Sequence, residues 1–255
     1  MLKQALRKAL QTAGVQVSRI GADPFRDVDA VTRSIYEAVK QFTVTGPAAV
    51  FALCDAVRYV ARANFPGAFV ECGVFKGGSS MAAALMAKHL GIGMDLHLFD
   101  TFEGMPPPTE RDSFALSPRP VLGFDPKTGE PWTRCDEATV RANMASTGYD
   151  PTRLHFHRGM VEQTIPAQAP AQISVLRLDT DWYDSTKHEL VHLWPRLSPG
   201  GILIIDDYGE FTGARDAVDE YFAGNPPFLF RIDYSRRMVV KPIGSSASRS
   251  SDRQA

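Results

Sequence analysis

The spacing of apolar and polar positions changes several times along this chain, and each change marks an element. Two unbroken apolar runs, VLRLDTD ending at Asp181 and ILIIDDY beginning at Ile202, have the length and content of strands buried on both faces. Each ends in carboxylates. Asp179 closes one strand, and Asp206 and Asp207 close the other. The spacing predicts helix over 24–64, clearest in PAAVFALCDAVRYVARAN, where Val50, Leu53, Cys54, Val57 and Val60 form one stripe and Pro47 suits a first turn. Pro66 and Gly67 stop it. A strand follows at 68–72, a glycine-rich turn at 73–78, and a helix rich in Ala and Met at 79–90.

Further strands are expected at 95–100, 154–159, 173–179 and 202–206. The intervening helices are 136–147, with Val140 and Met144 facing in, a short one near Val161, one opened by Asp184, Ser185 and Thr186 and running to about Leu197, and 212–222. Residues 198–201 read as a tight turn. Two strands, 228–233 and 237–241, are separated by a short turn and pair antiparallel. This order predicts an α/β fold: a doubly wound, mostly parallel seven-stranded sheet with an antiparallel edge strand and extra N-terminal helices. Leu2, Leu6 and Leu10 fall at helical spacing and add a short amphipathic helix. The expected organisation is a helical extension over 1–65, a main domain over 66–242 with a lid-like insertion at 101–133, and a polar, disordered tail over 243–255.

Composition changes this picture little. At 255 residues, 44% hydrophobic and 22% charged, the chain has the content of a globular protein with one sizeable core. A net charge of −1 leaves no basic footprint for nucleic acid. No apolar run is long enough to span a membrane or to serve as a secretory core. Cys54, Cys72 and Cys135 have no metal-type spacing, so they read as reduced thiols in a cytoplasmic protein.

The candidate chemistry sits at strand ends. In an open parallel sheet ligands bind beyond the carboxyl ends of the strands. Neighbouring strands ending in Asp179, Asp206 and Asp207 would bring three like charges together, and a hard divalent cation resolves that repulsion. The turn after the first strand reads E-x-G-x-x-x-G-G, from Glu71 through Gly73. A dinucleotide site uses G-x-G-x-x-G to hold a pyrophosphate, whereas a carboxylate at the lip suits an ammonium and a sulfonium. Asp100, 27 residues after Gly73, ends the second strand and can accept from both hydroxyls of a ribose. Residues 101–133 hold seven prolines and no period, the mark of a long loop. Its Phe102, Phe114, Phe124 and Trp132 are candidates for an apolar roof over a substrate. His155 and His157 share a strand face; with no third partner in view, they read as ordinary surface histidines.

ECGVFKGGS, FDTFEGMP, LDTDWYDST and SPGGILIIDDYG, in this order, resemble the macrocin O-methyltransferase family, over about 43–242. The resemblance implies a class I methyltransferase fold and an S-adenosylmethionine- and Mg2+-dependent enzyme that methylates sugar hydroxyls of macrolides and aminocoumarins. It implies that Asp179, Asp206 and Asp207 hold the metal. Glu71 and Gly73 would line the methionine end of the cofactor, with Ser79 opening the helix beneath. Asp100 would take the ribose with Phe102 beside it, and Gly159 and Met160 would border the adenine. The family often shows an aromatic pair after that glycine, where Met160 and Val161 stand here. In catechol O-methyltransferases, a more distant likeness, a lysine base follows the metal aspartate by three residues. That position is Trp182, so the proton acceptor is another group; Asp179, which would touch both ion and substrate, is the candidate base. The expected partner is a small hydroxyl acceptor, a glycosylated metabolite, with no nucleic acid and no membrane. The N-terminal helices are a candidate homo-oligomer surface. A nicotinamide-dependent oxidoreductase and a non-catalytic protein of the same fold are the alternatives.

Overall fold

A computed structural model describes residues 25–117 and 119–243. The expected helix around Leu2, Leu6 and Leu10 lies outside the described residues, as does all of the polar tail beyond Ile243. Helix α1 (Ala30–Val39) starts where the Asp29 carboxylate accepts from the Val31 and Thr32 amides. Helix α2 (Pro47–Arg62) follows, with proline in its first turn. Then come β1 (Ala68–Cys72), α3 (Gly78–Leu90), β2 (Leu96–Asp100), α4 (Glu137–Ser146), β3 (Leu154–Arg158) and the single turn α5 (Val161–Thr164). The chain continues through β4 (Ile173–Leu178), α6 (Tyr183–Leu193), β5 (Leu197–Ile205), α7 (Thr212–Phe222), β6 (Phe230–Arg231) and β7 (Arg237–Val240).

The strands form one seven-stranded sheet in the order β3-β2-β1-β4-β5-β7-β6. Strands β1 to β5 are parallel and β7 runs antiparallel to β5. The antiparallel strand lies one place in from the edge, which is the two-residue β6. Alternation along each buried strand divides the core. Phe69, Leu96, Leu98, Val175 and Ile204 face α1, α2 and α3. Val70, Cys72, Leu176, Leu203 and Val239 face α6 and α7. The N-terminal helices thus share a core with the sheet. Helix α3 packs against α1, α2, β2 and α4, so Ala82, Ala83, Ala84, Met86 and Ala87 are all fully buried and only its last turn, at Lys88 and His89, is exposed.

Residues 198–201 differ from expectation. They are a bulge inside β5, because Ile173 pairs with Leu197 and Val175 with Ile202. Gly200, at φ 82°, keeps the chain on the ladder by donating to the Lys241 carbonyl. Helix α6 ends at Leu193, before Pro195, rather than near Leu197. His155 and His157 share a face and gain a third partner, His97 on β2. The His97 and His157 rings are joined edge to edge at 3.0 Å, and His155 stacks on His97. Burial and the neighbouring imidazoles push His97 down to about 4. Cys54, Cys72 and Cys135 are free thiols. Among the described residues no helix is long and apolar enough to cross a membrane.

Candidate active site

Strands β1, β4 and β5 end side by side, and their alternation decides which charges meet. Glu71 lies opposite Arg177 and Arg177 opposite Ile204, so Glu71, Arg177 and Asp206 project from the face that carries α2 and α3. Arg177 is almost wholly buried. One guanidinium nitrogen bonds Glu71 at 2.7 Å and Asp179 at 2.6 Å; the other bonds Asp206 and the Thr45 hydroxyl. Arg236 grips Asp206 from the opposite side, at 2.7 Å.

The turn after β1 packs against the end of β4. Gly73 sits at φ 82°, and a Cβ there would lie 1.9 Å from the Asp179 carbonyl oxygen. No other residue fits. Asp100 organises the turn from the neighbouring strand. It accepts from the Val74 and Phe75 amides on one oxygen and from the Phe102 amide on the other, at 2.6, 3.1 and 2.7 Å. Burial pushes its carboxyl up against the pull of those amides.

Two clefts open beyond these strand ends. The first is lined by Gly73, Asp100, Gly159, Met160, Thr180 and Ser185. The second is lined by Ser79, Thr43, Val44, Phe75 and a cluster of carboxylates. Asp179, Met105 and Thr133 border both, so the clefts adjoin there. Phe75, Thr133 and Asp181 all line the second cleft and all have positive φ, at 51°, 55° and 69°. Such backbone conformations cost of order 1–3 kcal/mol each and concentrate at functional sites.

Asp179, Asp181 and Asp207 offer carboxylate oxygens that all lie within 4.8 Å of one another. Burial pushes Asp181 up to about 8. It also drives Asp179 and Asp207 well above the carboxylate range, against Arg177 in one case and with the help of Asp181 in the other. Asp206 differs: burial would raise it, but Arg177 and Arg236 outweigh that and hold it low. One oxygen of Asp207 is buried without a hydrogen-bond partner. An orphaned oxygen among three crowded carboxylates fits a hard divalent cation, which takes oxygen ligands and removes the repulsion.

The long loop at 101–133 is fastened down rather than free. Asp112 accepts from the Tyr183 amide at 2.9 Å and so caps α6 from a distance, in place of the local cap expected at Asp184 to Thr186. Trp182 donates from its indole to the Pro106 carbonyl, and Phe114 packs on Phe211. The roof is not the expected set of aromatics. Phe102 is buried in the core against Phe156, and Phe124 is turned to solvent. Met105, Pro106 and Thr133 stand over the first cleft instead.

The expected site residues therefore divide. Gly73, Asp100, Gly159 and Met160 line the first cleft, and Ser79 lines the second. Glu71 does not reach the lip of the turn as a free carboxylate, because Arg177 and the Ser80 hydroxyl enclose it; burial raises its carboxyl and Arg177 opposes the rise. Phe102 borders neither cleft. Asp206 lines the second cleft but spends its oxygens on two guanidinium groups, and Asp181 takes its place beside Asp179 and Asp207. Sequence reasoning passed over Asp181, although it stands two residues after Asp179. It also passed over Arg177, a charge inside an apolar strand and so a sign of a buried partner. Glu189 was missed as well; it is fully buried and accepts from Thr180, which lines the first cleft.

Comparison with known proteins places this geometry. The macrocin O-methyltransferase (TylF) family model matches residues 15–233. The chain is 36% identical over 166 residues to the 8-demethyl-8-(2,3-dimethoxy-alpha-L-rhamnosyl)-tetracenomycin-C 4'-O-methyltransferase of Streptomyces olivaceus, covering 65% of this chain and 61% of that one. It is 32% identical over 161 residues to the mycinamicin III 3''-O-methyltransferase of Micromonospora griseorubida, covering 63% and 62%. The match thus spans about three-fifths of the length of these relatives. Among solved structures, the O-methyltransferase NovP aligns with a TM-score of 0.67 and 27% identity, over 79% of this chain and 82% of that one.

Proposed function

The chain belongs to the macrocin O-methyltransferase family, and from that premise we propose that it transfers a methyl group from S-adenosylmethionine to a hydroxyl of a natural-product sugar. The observation that carries the reading is the meeting of two clefts at Asp179: a glycine-turn cleft on one side, a cluster of carboxylates on the other. Two of the relatives are named for methylating sugar positions of glycosylated natural products. Membership removes the ground for the oxidoreductase alternative.

In this reading the first cleft takes the cofactor. Asp100 lines this cleft: its Oδ2 is filled by the Val74 and Phe75 amides, while Oδ1, which serves the Phe102 amide, keeps a lone pair for a ribose hydroxyl. Gly159 and Met160 border the far end. Glu71 acts at one remove: it anchors Arg177, which positions Asp179 and Asp206. Asp179, Asp181 and Asp207 would hold a divalent cation, Mg2+ by family resemblance. When bound, it would lower the pKa of an acceptor hydroxyl.

Transfer forms a carbon–oxygen bond, breaks the carbon–sulfur bond and releases one proton. Asp181 is the better acceptor for that proton than Asp179. Arg177 bonds Asp179 at 2.6 Å and weakens it as a base, whereas among the described residues no guanidinium bonds Asp181. Met105 and Thr133 stand where the clefts join and screen the reacting atoms from water.

The test is transfer of labelled methyl from S-adenosylmethionine to a panel of 6-deoxyhexosides, with magnesium and with excess chelator. Label should appear on the sugar and should require the cation. Label with undiminished rate in chelator would remove the metal, and absence of label on every sugar would remove the acceptor class.

A further inference from the structure

The strap between α1 and α2, residues 40–46, takes no part in the chemistry above, yet it forms one wall of the acidic cleft. Val44 at its tip is 80% exposed while its neighbours Thr43 and Thr45 are half-buried and buried. One exposed valine is ordinary; a rigidly mounted one at the mouth of a cleft is not. The Phe42 carbonyl accepts from the Gly78 amide at 3.1 Å, the Thr43 hydroxyl accepts from the Thr45 amide at 2.9 Å, and Arg177 donates to the Thr45 hydroxyl at 3.2 Å. Gly78 is a glycine because the strap lies on it: a Cβ there would be 2.7 Å from the Phe42 oxygen and 2.7 Å from the Thr43 Cβ. The strap is thereby tied both to the glycine turn and, through Arg177, to the carboxylates. Elsewhere on the cleft wall stand Phe75, Met105 and Phe211. The cleft has a floor of carboxylates and guanidinium groups, and its walls set Val44, Phe75, Met105 and Phe211 among the hydroxyls of Thr43, Thr45, Ser79 and Thr133.

We infer that Val44 is a specificity-determining residue: it packs against the apolar body that carries the methylated sugar, so the strap selects amphiphilic glycosides over free sugars. The assignment rests on the sugar-acceptor reading above. Covering a valine side chain contributes about 1.5 kcal/mol or more, equivalent to about a tenfold difference in KM.

The experiment uses paired methyl and 4-nitrophenyl glycosides of the same 6-deoxyhexoses, with labelled S-adenosylmethionine. The wild type should show a KM about tenfold lower for the aryl member of any pair it methylates. Val44→Asp should bring that ratio close to one and Val44→Leu should keep it. The S-adenosylmethionine titration and melting temperature of both variants should match the wild type. A wild-type ratio in Val44→Asp overturns the assignment and leaves the sugar reading standing. So does a ratio lost only together with cofactor binding or with melting temperature, because the residue is then structural. Failure of the wild type to methylate any glycoside overturns the sugar reading itself, and the assignment with it.

Discussion

Replacing Arg177 by methionine tests whether its guanidinium holds the acidic floor together. The side chain is 3% exposed and bonds Glu71, Asp179 and Asp206, of which Glu71 is 1% exposed. Methionine fills similar volume without charge, so packing is largely kept and the electrostatic part is isolated. Removing one partner of a buried ion pair costs about 3–5 kcal/mol. For a chain of this size each kcal/mol is about 2–4 °C, so melting should fall by roughly 6–20 °C. The pH dependence has a definite sign. Without Arg177 the folded-state pKa values of Glu71 and Asp179 lie further above those of the unfolded chain, and that of Asp206 rises from its lowered position. Between the two values the folded state binds protons that the unfolded chain has released, and its stability falls as pH rises. The gap between variant and wild type should therefore be wider at about pH 8 than at about pH 5.5. Magnesium at the higher pH should recover part of it. Circular-dichroism melts at both pH values, with and without the ion, decide the matter. An equal loss at both, or one under about 3 °C, would show that the carboxylates do not depend on this guanidinium.

Other outcomes follow from the same geometry. Asp181→Asn should lower methyl transfer by about 10²–10⁴-fold while S-adenosylmethionine still titrates normally; a loss below tenfold would return the base to Asp179. Because Asp181 holds a proton up to about 8, a cation must displace it, and calorimetric magnesium affinity should fall as pH drops below about 8. A flat profile would place the ion elsewhere. Asp100→Ala should weaken S-adenosylmethionine binding by about ten- to a hundredfold in a fluorescence titration, and an unchanged midpoint would take the cofactor out of the first cleft. Gly73→Ala drives a methyl group into the Asp179 carbonyl, and overpacking of about 1–3 kcal/mol should appear as a lowered melting temperature. An unmoved melt would mean that the turn yields freely.

The sheet was legible because its central strands β1, β4 and β5 are buried on both faces and read as mainly apolar runs, and because prolines and glycines punctuate them. What stayed hidden depends on register. That Glu71 faces Arg177 follows from the pairing of β1 with β4, and no single run of sequence carries it. The pattern LDTD offered two carboxylates two residues apart, and the choice between Asp181 and Asp206 turned on features outside it. Asp181 enters the cluster through a backbone turn at φ 69°, and Asp206 is claimed by Arg236, which comes in after the crossover to β7. The packing of the 101–133 loop was also unreadable, since its anchors, Asp112 on Tyr183 and Trp182 on Pro106, join segments about 70 residues apart and leave no periodic trace.

Charge ties the parts of the site together. Glu71, Asp179, Asp181, Asp206 and Asp207 set five carboxylates against the two guanidinium groups of Arg177 and Arg236. The surplus is met by protons when the cleft is empty of cations, which is what the raised carboxyl groups express. A divalent ion and a sulfonium would both draw on this surplus, and as like charges they would oppose each other's binding unless served by different carboxylates. Of these five carboxylates, Asp179 alone borders both clefts. In the proposed reaction, once the methyl had moved the sulfur would be neutral and a carboxylate would hold the proton. The acidic floor would then lose its attraction for the spent cofactor at the same step that reduces its own charge, so the chemistry that completes the reaction would also loosen the product.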